Sequence, residues 1–312
     1  MLPASSATLP FAFGLLSFLI AACTTVPDIP PWFDSFERRP VKTVTVQGHR
    51  IAYLDEGQGP PVILVHGFGG SMWQWEYQQG ALAGSHRLIT LDLLGSGLSD
   101  KPDQAYGPDE MLAFFSAFMD ALDIPRASLV GNSMGGGLVI GMALAHPERV
   151  DRLVLISGLP DHVQEKLAGR LIKQAIETSA PVWLVQFGNW LLGRGVTEAV
   201  LEEIVYDHSR LTPAVIDRAY RNRRRPGLIP PLMAQARALP LWDEGFAKRL
   251  RDINRPTLII WGAEDEVFPP PVGRDMASVI PGSTFELLPK AGHIPQWERP
   301  DLVNPLLLRF LQ

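Results

Sequence analysis

The chain has 312 residues, a formal net charge of −5, 46% hydrophobic and 20% charged residues, and one cysteine. That length accommodates one large α/β domain with an inserted subdomain, and the acidic balance argues against nucleic acid, which requires Lys and Arg gathered on one face. A lone Cys23 excludes an intrachain disulfide and a cysteine-rich metal site. His, Asp and Glu lack paired spacings such as H-E-x-x-H, so no metal and no organic cofactor is implied.

In chain order, Leu9–Ala22 comes first, a mostly apolar run with no Lys or Arg before it. About 14 residues is short for a bilayer span, which needs roughly 20, but it suits the apolar region of a signal peptide. The small residues Ala21 and Ala22 before Cys23 resemble the lipobox of bacterial lipoproteins. That resemblance implies a signal peptide over residues 1–22, lipidation of Cys23, and an exported protein anchored to a bacterial membrane, facing the periplasm or cell envelope. The alternative is a buried helix or unprocessed anchor with a chance cysteine. Residues 23–40 hold Pro27, Pro30, Pro31 and Pro40 and read as a tether, with Trp32, Phe33 and Phe36 expected either to pack onto the domain or to sit at the lipid interface.

Val41–Val46 and Ile51–Leu54 alternate apolar and polar residues around Gln47-Gly48, the pattern of a hairpin. Short apolar runs follow at Val62–Val65, Leu88–Leu91, Leu129–Val130, Leu153–Ile156, Leu258–Trp261 and Phe285–Leu288. Runs of this kind belong to a sheet covered on both faces. Helical stretches at Trp73–Leu82, Met111–Leu122, Met134–Ala145 and Asp301–Leu311 alternate with them, which predicts a mostly parallel, doubly wound α/β sheet. The alternation stops over residues 159–250, where the pattern is helical only. That segment reads as a helical cap inserted between the two parts of the core, residues 41–158 and 251–312.

Gly131-Asn132-Ser133-Met134-Gly135 joins a strand to a small-residue helix. A strand-to-helix turn that presents a serine needs glycines where a Cβ would strike neighbouring backbone. Ser133 is therefore the candidate nucleophile. A serine hydroxyl needs a base, and the base needs a carboxylate to orient it. Asp265 follows the strand ending at Gly262, and His293 follows the strand ending at Leu288. Glu264, Glu266 and Asp161 are the alternative acids; His146, His162 and His208 suit structural or surface roles. His66-Gly67-Phe68-Gly69-Gly70 follows the strand at Val62–Val65, where one donor of an oxyanion hole belongs. Phe68 N–H and Met134 N–H are the expected pair, with His66 bracing the loop.

These motifs, with Asp92-x-x-Gly95-x-Gly97-x-Ser99, resemble the α/β-hydrolase superfamily from about Val41 to the end, apart from the insert. Aspartate is the nucleophile in the similar haloalkane dehalogenases and epoxide hydrolases, so Ser133 argues against both. The Gly-Asn-Ser-Met-Gly-Gly form is similar to that of carbon–carbon bond hydrolases of aromatic ring-cleavage products, monoacylglycerol lipases and carboxylesterases. The resemblance implies a serine hydrolase of small or medium apolar carboxylic esters, without cofactor, working through an acyl-enzyme. One alternative is carbon–carbon hydrolysis of a ring-cleavage diketone, and another a non-catalytic receptor or scaffold on the same fold. Trp183, Phe187 and Trp190, with Leu184 and Leu191, fall at helical spacing as a candidate substrate wall; the competing reading is a face that packs on the core. Arg218, Arg221, Arg223, Arg224 and Arg225 read as a solvated basic face, with lipid phosphate or a substrate carboxylate as alternative partners. The expected partners are thus a small-molecule ester or lipid, and a membrane through Cys23.

Overall fold

The computed structural model describes residues 38–312. The expected signal peptide, Cys23 and the tether as far as residue 37, with Trp32, Phe33 and Phe36, lie outside the described residues.

The hairpin forms first, from β1 (Lys42–Val46) and β2 (His49–Glu56), paired antiparallel. Its two turn residues, Gln47 and Gly48, both have positive φ (50° and 82°). That conformation matches the twist of tightly joined antiparallel strands. β3 (Pro61–Val65), β4 (Arg87–Leu91), β5 (Ala127–Asn132), β6 (Val150–Ile156), β7 (Thr257–Gly262) and β8 (Thr284–Leu288) complete an eight-stranded sheet. Its order is β1-β2-β4-β3-β5-β6-β7-β8, parallel from β4 to β8.

Successive residues of a strand point to opposite faces, and here both faces are apolar. Ile63 and Val65 of β3 join a large cluster with Phe114, Phe118 and Leu138, while Val62 and Leu64 join another with Trp75, Leu82, Val303 and Leu307. The helices that cover the sheet are α1 (Glu76–Leu82), α2 (Pro108–Ala121) and α3 (Met134–Ala145) in the first part of the chain. In the insert lie α4 (Val163–Lys166), α5 (Arg170–Glu177), α6 (Val182–Ile204), α7 (Pro213–Arg223) and α8 (Ile229–Gly245). After it come α9 (Pro270–Val279), α10 (Pro295–Glu298) and α11 (Pro300–Phe310). The insert is therefore helical as expected, and it joins β6 to β7. Because β5, β7 and β8 run parallel, the loops leaving their carboxyl ends gather at one edge of the sheet. Ser133, Asp265 and His293 all stand in those loops.

No helix of the described residues is long and apolar enough to cross a membrane.

Candidate active site

β5 passes into α3 through Ser133, whose backbone sits at φ 52° and ψ −118°. A side-chain-bearing residue at positive φ is strained and persists only where its surroundings hold it. The holding contacts are backbone: Ser133 N–H donates to Ile156 O at 3.1 Å, and Gly137 N–H donates to Ser133 O at 3.2 Å. Close approach explains the flanking glycines. A Cβ on Gly131 would strike the Gly135 carbonyl, and one on Gly135 would strike the carbonyls of Val65 and His66.

His293 and Asp265 form a buried pair. His293 Nδ1 lies 3.1 Å from Asp265 Oδ1 and 3.0 Å from Oδ2. Asp265 Oδ1 also accepts the N–H groups of Val267 at 2.9 Å and Phe268 at 3.0 Å, which fixes the carboxylate. The Phe268 ring lies 5.7 Å from the imidazole and flanks it. With Nδ1 committed to Asp265, Nε2 is the nitrogen left for proton transfer. His293 and Ser133 line the same cavity.

Three further groups hold the histidine loop in place, and none was singled out from the sequence. Asn132, beside the serine, donates through Nδ2 to Ile156 O at 3.0 Å and to His293 O at 3.1 Å. His293 N–H donates to Ile204 O at 2.8 Å, so the end of α6 in the cap clasps this loop. Glu298 is buried and accepts Gly292 N–H at 2.7 Å, Tyr206 N–H at 2.7 Å and Asp207 N–H at 3.2 Å. Burial pushes the Glu298 carboxyl above its usual range, against the pull of those three donors. The alternative acids have other surroundings. Glu264 Oε2 accepts Ala291 N–H at 3.0 Å, Glu266 is exposed, and Asp161 pairs with Lys166 on α4.

The loop after β3 runs against the serine turn, with Gly67 close to the Ser133 Cβ and to Asn132. Gly67 N–H donates to Gln74 Oε1 at 3.2 Å and Gly70 N–H to Gly67 O at 3.1 Å. His66 is fully buried; its Nε2 accepts Leu93 N–H at 3.1 Å, and its Nδ1 lies 2.8 Å from Gly67 O. That pattern requires the neutral ring with its proton on Nδ1. Burial lowers the His66 pKa, so the bracing form is the neutral one. Asp92, also buried, accepts Met72 N–H at 2.7 Å and Leu98 N–H at 2.6 Å, which ties the two loops together. Phe68 and Met134 both border the cavity beside Ser133.

The cavity has a volume of about 430 Å³ and lies between the sheet edge and the cap. Leu159, Leu167, Ile172, Val200, Leu232 and Phe268 are typical of its wall. Trp183, Phe187 and Trp190 do not belong to it: all three are exposed, with Trp183 at 67%. The physical reason is position along α6. Apart from Val185, its lining residues Val196, Thr197, Val200, Leu201 and Ile204 lie in the second half, where Gly193, Thr197 and Leu201 are buried, whereas the aromatic residues lie in the first half, which has no buried residue. The arginine run is also divided by the fold. Arg218 is buried against Glu76, Arg224 lies over the Tyr220 ring, and Arg223 borders the cavity. Arg223 is the one Lys or Arg among the described lining residues. Burial lowers its pKa, and its Nε donates to Asn189 Oδ1 at 2.5 Å.

Known proteins match most of the chain. The 2-hydroxy-6-oxo-6-phenylhexa-2,4-dienoate hydrolase of Burkholderia cepacia is 30% identical over 274 residues, 84% of this chain and 91% of that protein. A dihydrolipoyllysine-residue acetyltransferase component of the acetoin cleaving system of Pseudomonas putida is also 30% identical, but the chain spans 64% of its length. Among solved structures, the meta-cleavage product hydrolase of Pseudomonas fluorescens IP01 superposes with a TM-score of 0.74 at 28% identity, covering 86% of this chain and 96% of that one. A sequence profile described as alpha/beta hydrolase fold matches residues 60–300. With an eight-stranded sheet, a helical insert between β6 and β7, and a serine-type hydrolase arrangement at the sheet edge, the chain belongs to the alpha/beta hydrolase fold family.

Proposed function

We propose that this enzyme is a serine hydrolase that cleaves a carbon–carbon bond next to a ketone in a substrate with an apolar group at one end and a carboxylate at the other. Ser133 Oγ attacks the keto carbon while His293 Nε2 takes its proton. Asp265 holds the imidazole and offsets the charge that forms on it. The N–H groups of Phe68 and Met134 face the oxyanion. With the substrate's dienol shifted to its keto form, collapse breaks the carbon–carbon bond, the electron pair passes through the double bond to the distant ketone oxygen, and the fragment leaves as a conjugated enol with the proton returned from His293. Water, activated by the same histidine, then releases the carboxylic acid from Ser133.

The observation that carries this reading is Arg223, the one Lys or Arg among the described residues that line a mostly apolar cavity. Arg223 offers a desolvated guanidinium to a carboxylate, and the apolar wall takes a ring or alkyl group. The hydrolases similar to this chain include one named for a dienoate that carries a carboxylate and a phenyl ketone. Ester cleavage by the same groups, with an alkoxide as leaving group, is the second reading. It is favoured by the extent of the apolar wall, which accepts an acyl chain with no need for Arg223.

The test is turnover of 2-hydroxy-6-oxo-6-phenylhexa-2,4-dienoate beside a p-nitrophenyl ester series, with Ser133→Ala as control. The first reading expects kcat/KM for the dienoate to exceed that for every ester. It also expects Arg223→Met to lower kcat/KM for the dienoate by about tenfold or more, the worth of a charged hydrogen bond, and to spare the esters. Ester turnover without dienoate turnover would overturn it in favour of the second.

At the other end of the chain, lipidation of Cys23 is the reading that its surroundings in the sequence support. Cys23→Ser is then expected to move the protein from the membrane fraction to the soluble one, and continued retention would refute the anchor.

A further inference from the structure

The outward side of α6 is the largest apolar feature that the cavity chemistry leaves unexplained. Over three turns it exposes Trp183, Leu184, Phe187, Trp190, Leu191 and Leu192, the last two at 60% and 63%. The rings of Phe187 and Trp190 lie 5.8 Å apart, so these two form one patch. Single exposed apolar residues are ordinary, but six large ones on a single helix mark a surface that is covered in use.

Three observations indicate what covers it. From Pro181 to Gly195 the chain has no Asp or Glu, and its one charge is Arg194. A lipid surface repels carboxylates and accepts tryptophan, leucine and arginine at its headgroup boundary. The second observation is position. Val185 and Val196 of the same helix line the cavity, and Val196 with Gln174 and Ala175 of α5 is exposed, so the cavity mouth opens beside the apolar stripe. A lipid phase laid there meets the opening beside Val196 and Ala175. The third lies in the sequence. Leu9–Ala22 is apolar, and the 15 or so residues from there to Arg38 reach no more than about 55 Å fully extended. A folded unit of this size is roughly 50 Å across. Any membrane that takes up the apolar run therefore keeps the domain within reach of its own surface.

We propose that the outward face of α6, from Trp183 to Leu192, docks on a lipid bilayer, with the helix lying flat at the headgroup boundary beside the cavity mouth. The helix lies on the membrane and does not cross it, in keeping with its mixed outward and inward faces. This proposal rests on the surface and not on which bond the enzyme cleaves, so the two succeed or fail separately.

The experiment uses the full chain mixed with vesicles of phosphatidylethanolamine and phosphatidylglycerol whose acyl chains carry bromine, which quenches tryptophan at close range. Emission is compared between the wild-type protein and Trp183→Phe/Trp190→Phe, so that the other tryptophans and any contact by the N-terminal run cancel. Docking is expected to quench the share of emission that this variant lacks. In Leu184→Glu/Leu191→Glu that share is expected to lose its sensitivity to bromine, while turnover of a water-soluble substrate is unchanged. Insensitivity of Trp183 and Trp190 to brominated lipid in the wild-type chain would overturn the proposal. So would a lipid-free dimer in sedimentation that Leu184→Glu/Leu191→Glu dissociates, because the face would then belong to a second copy.

Discussion

Arg218 of α7 and Glu76 of α1 meet as a buried pair across the boundary between cap and core, and their removal gives a quantitative test of how the cap is held. Arg218 Nη1 donates to Glu76 Oε2 at 2.8 Å, and Nη2 to Oε1 at 2.7 Å. The two side chains are 6% and 3% exposed. Trp297 Nε1 donates to Glu76 Oε1 at 2.6 Å, and the guanidinium lies 4.8 Å from the centre of the Trp73 ring. Arg218→Met keeps much of the side-chain volume but leaves Glu76 buried opposite the indole N–H. Stranding one partner of a buried pair costs about 3–5 kcal/mol. That is a large share of the roughly 5–15 kcal/mol that holds a domain folded. Glu76→Gln removes the stranded charge and keeps an acceptor for Trp297. The double variant Arg218→Met/Glu76→Gln is therefore expected to recover about 2 kcal/mol relative to Arg218→Met alone. Urea unfolding, followed by fluorescence and by circular dichroism to check that the transition is two-state, measures both changes. A loss below about 1 kcal/mol in Arg218→Met, additive with Glu76→Gln, would show a hydrated pair of surface strength and refute the argument.

Asn132→Ala leaves two buried carbonyls, Ile156 O and His293 O, without their shared donor. A displaced histidine is expected to lower kcat by about 10–100-fold with a smaller change in KM, and steady-state kinetics showing the reverse split would refute a positioning role. Glu298→Gln places an amide among three N–H donors that need an acceptor, so kcat is expected to fall while the circular dichroism spectrum is retained; Glu298→Asp is expected to restore part of it. Lys101 is the clearest source of pH dependence. Burial, then the charge of Arg225, lowers its pKa from 10.5 to about 8. Between those two values the unfolded chain keeps a proton that the folded chain has lost, so this residue makes stability rise as pH rises from about 8 to 10.5. Thermal unfolding across that window is expected to show the rise in the wild-type chain and to show less of it in Lys101→Met.

The parts of the fold that the sequence made legible are those whose constraints are local. Val62–Val65 of β3, Leu153–Ile156 of β6 and Leu258–Trp261 of β7 are buried on both faces, so each reads as an unbroken apolar run wherever the rest of the chain lies. The serine turn is legible for the same reason, since its glycines are required by backbone only a few residues away or by the adjacent strand. α9 is absent from the elements expected from the sequence, although Pro270 stands at its first helical position, where proline begins a helix. Asn132 and Glu298 act on partners 161 and 92 residues distant, and no spacing announces such a bond. The cap shows the deeper limit. The periodicity of Trp183, Phe187 and Trp190 correctly gives one face of a helix, but a face has no address until its neighbours are known. Gly193, Thr197 and Leu201 bury only the second half of α6, so the stripe in its first half meets solvent. The same holds for the arginines, where Arg218, Arg224 and Arg223, no more than six residues apart, go separately to an ion pair, an aromatic ring and the cavity wall. Bond-cleaving chemistry sits on the sheet edge, where local rules act. Substrate choice and membrane contact sit on the cap, where only tertiary packing decides, so substitutions in α6 and α7 are expected to change what this enzyme acts on without changing how Ser133 acts.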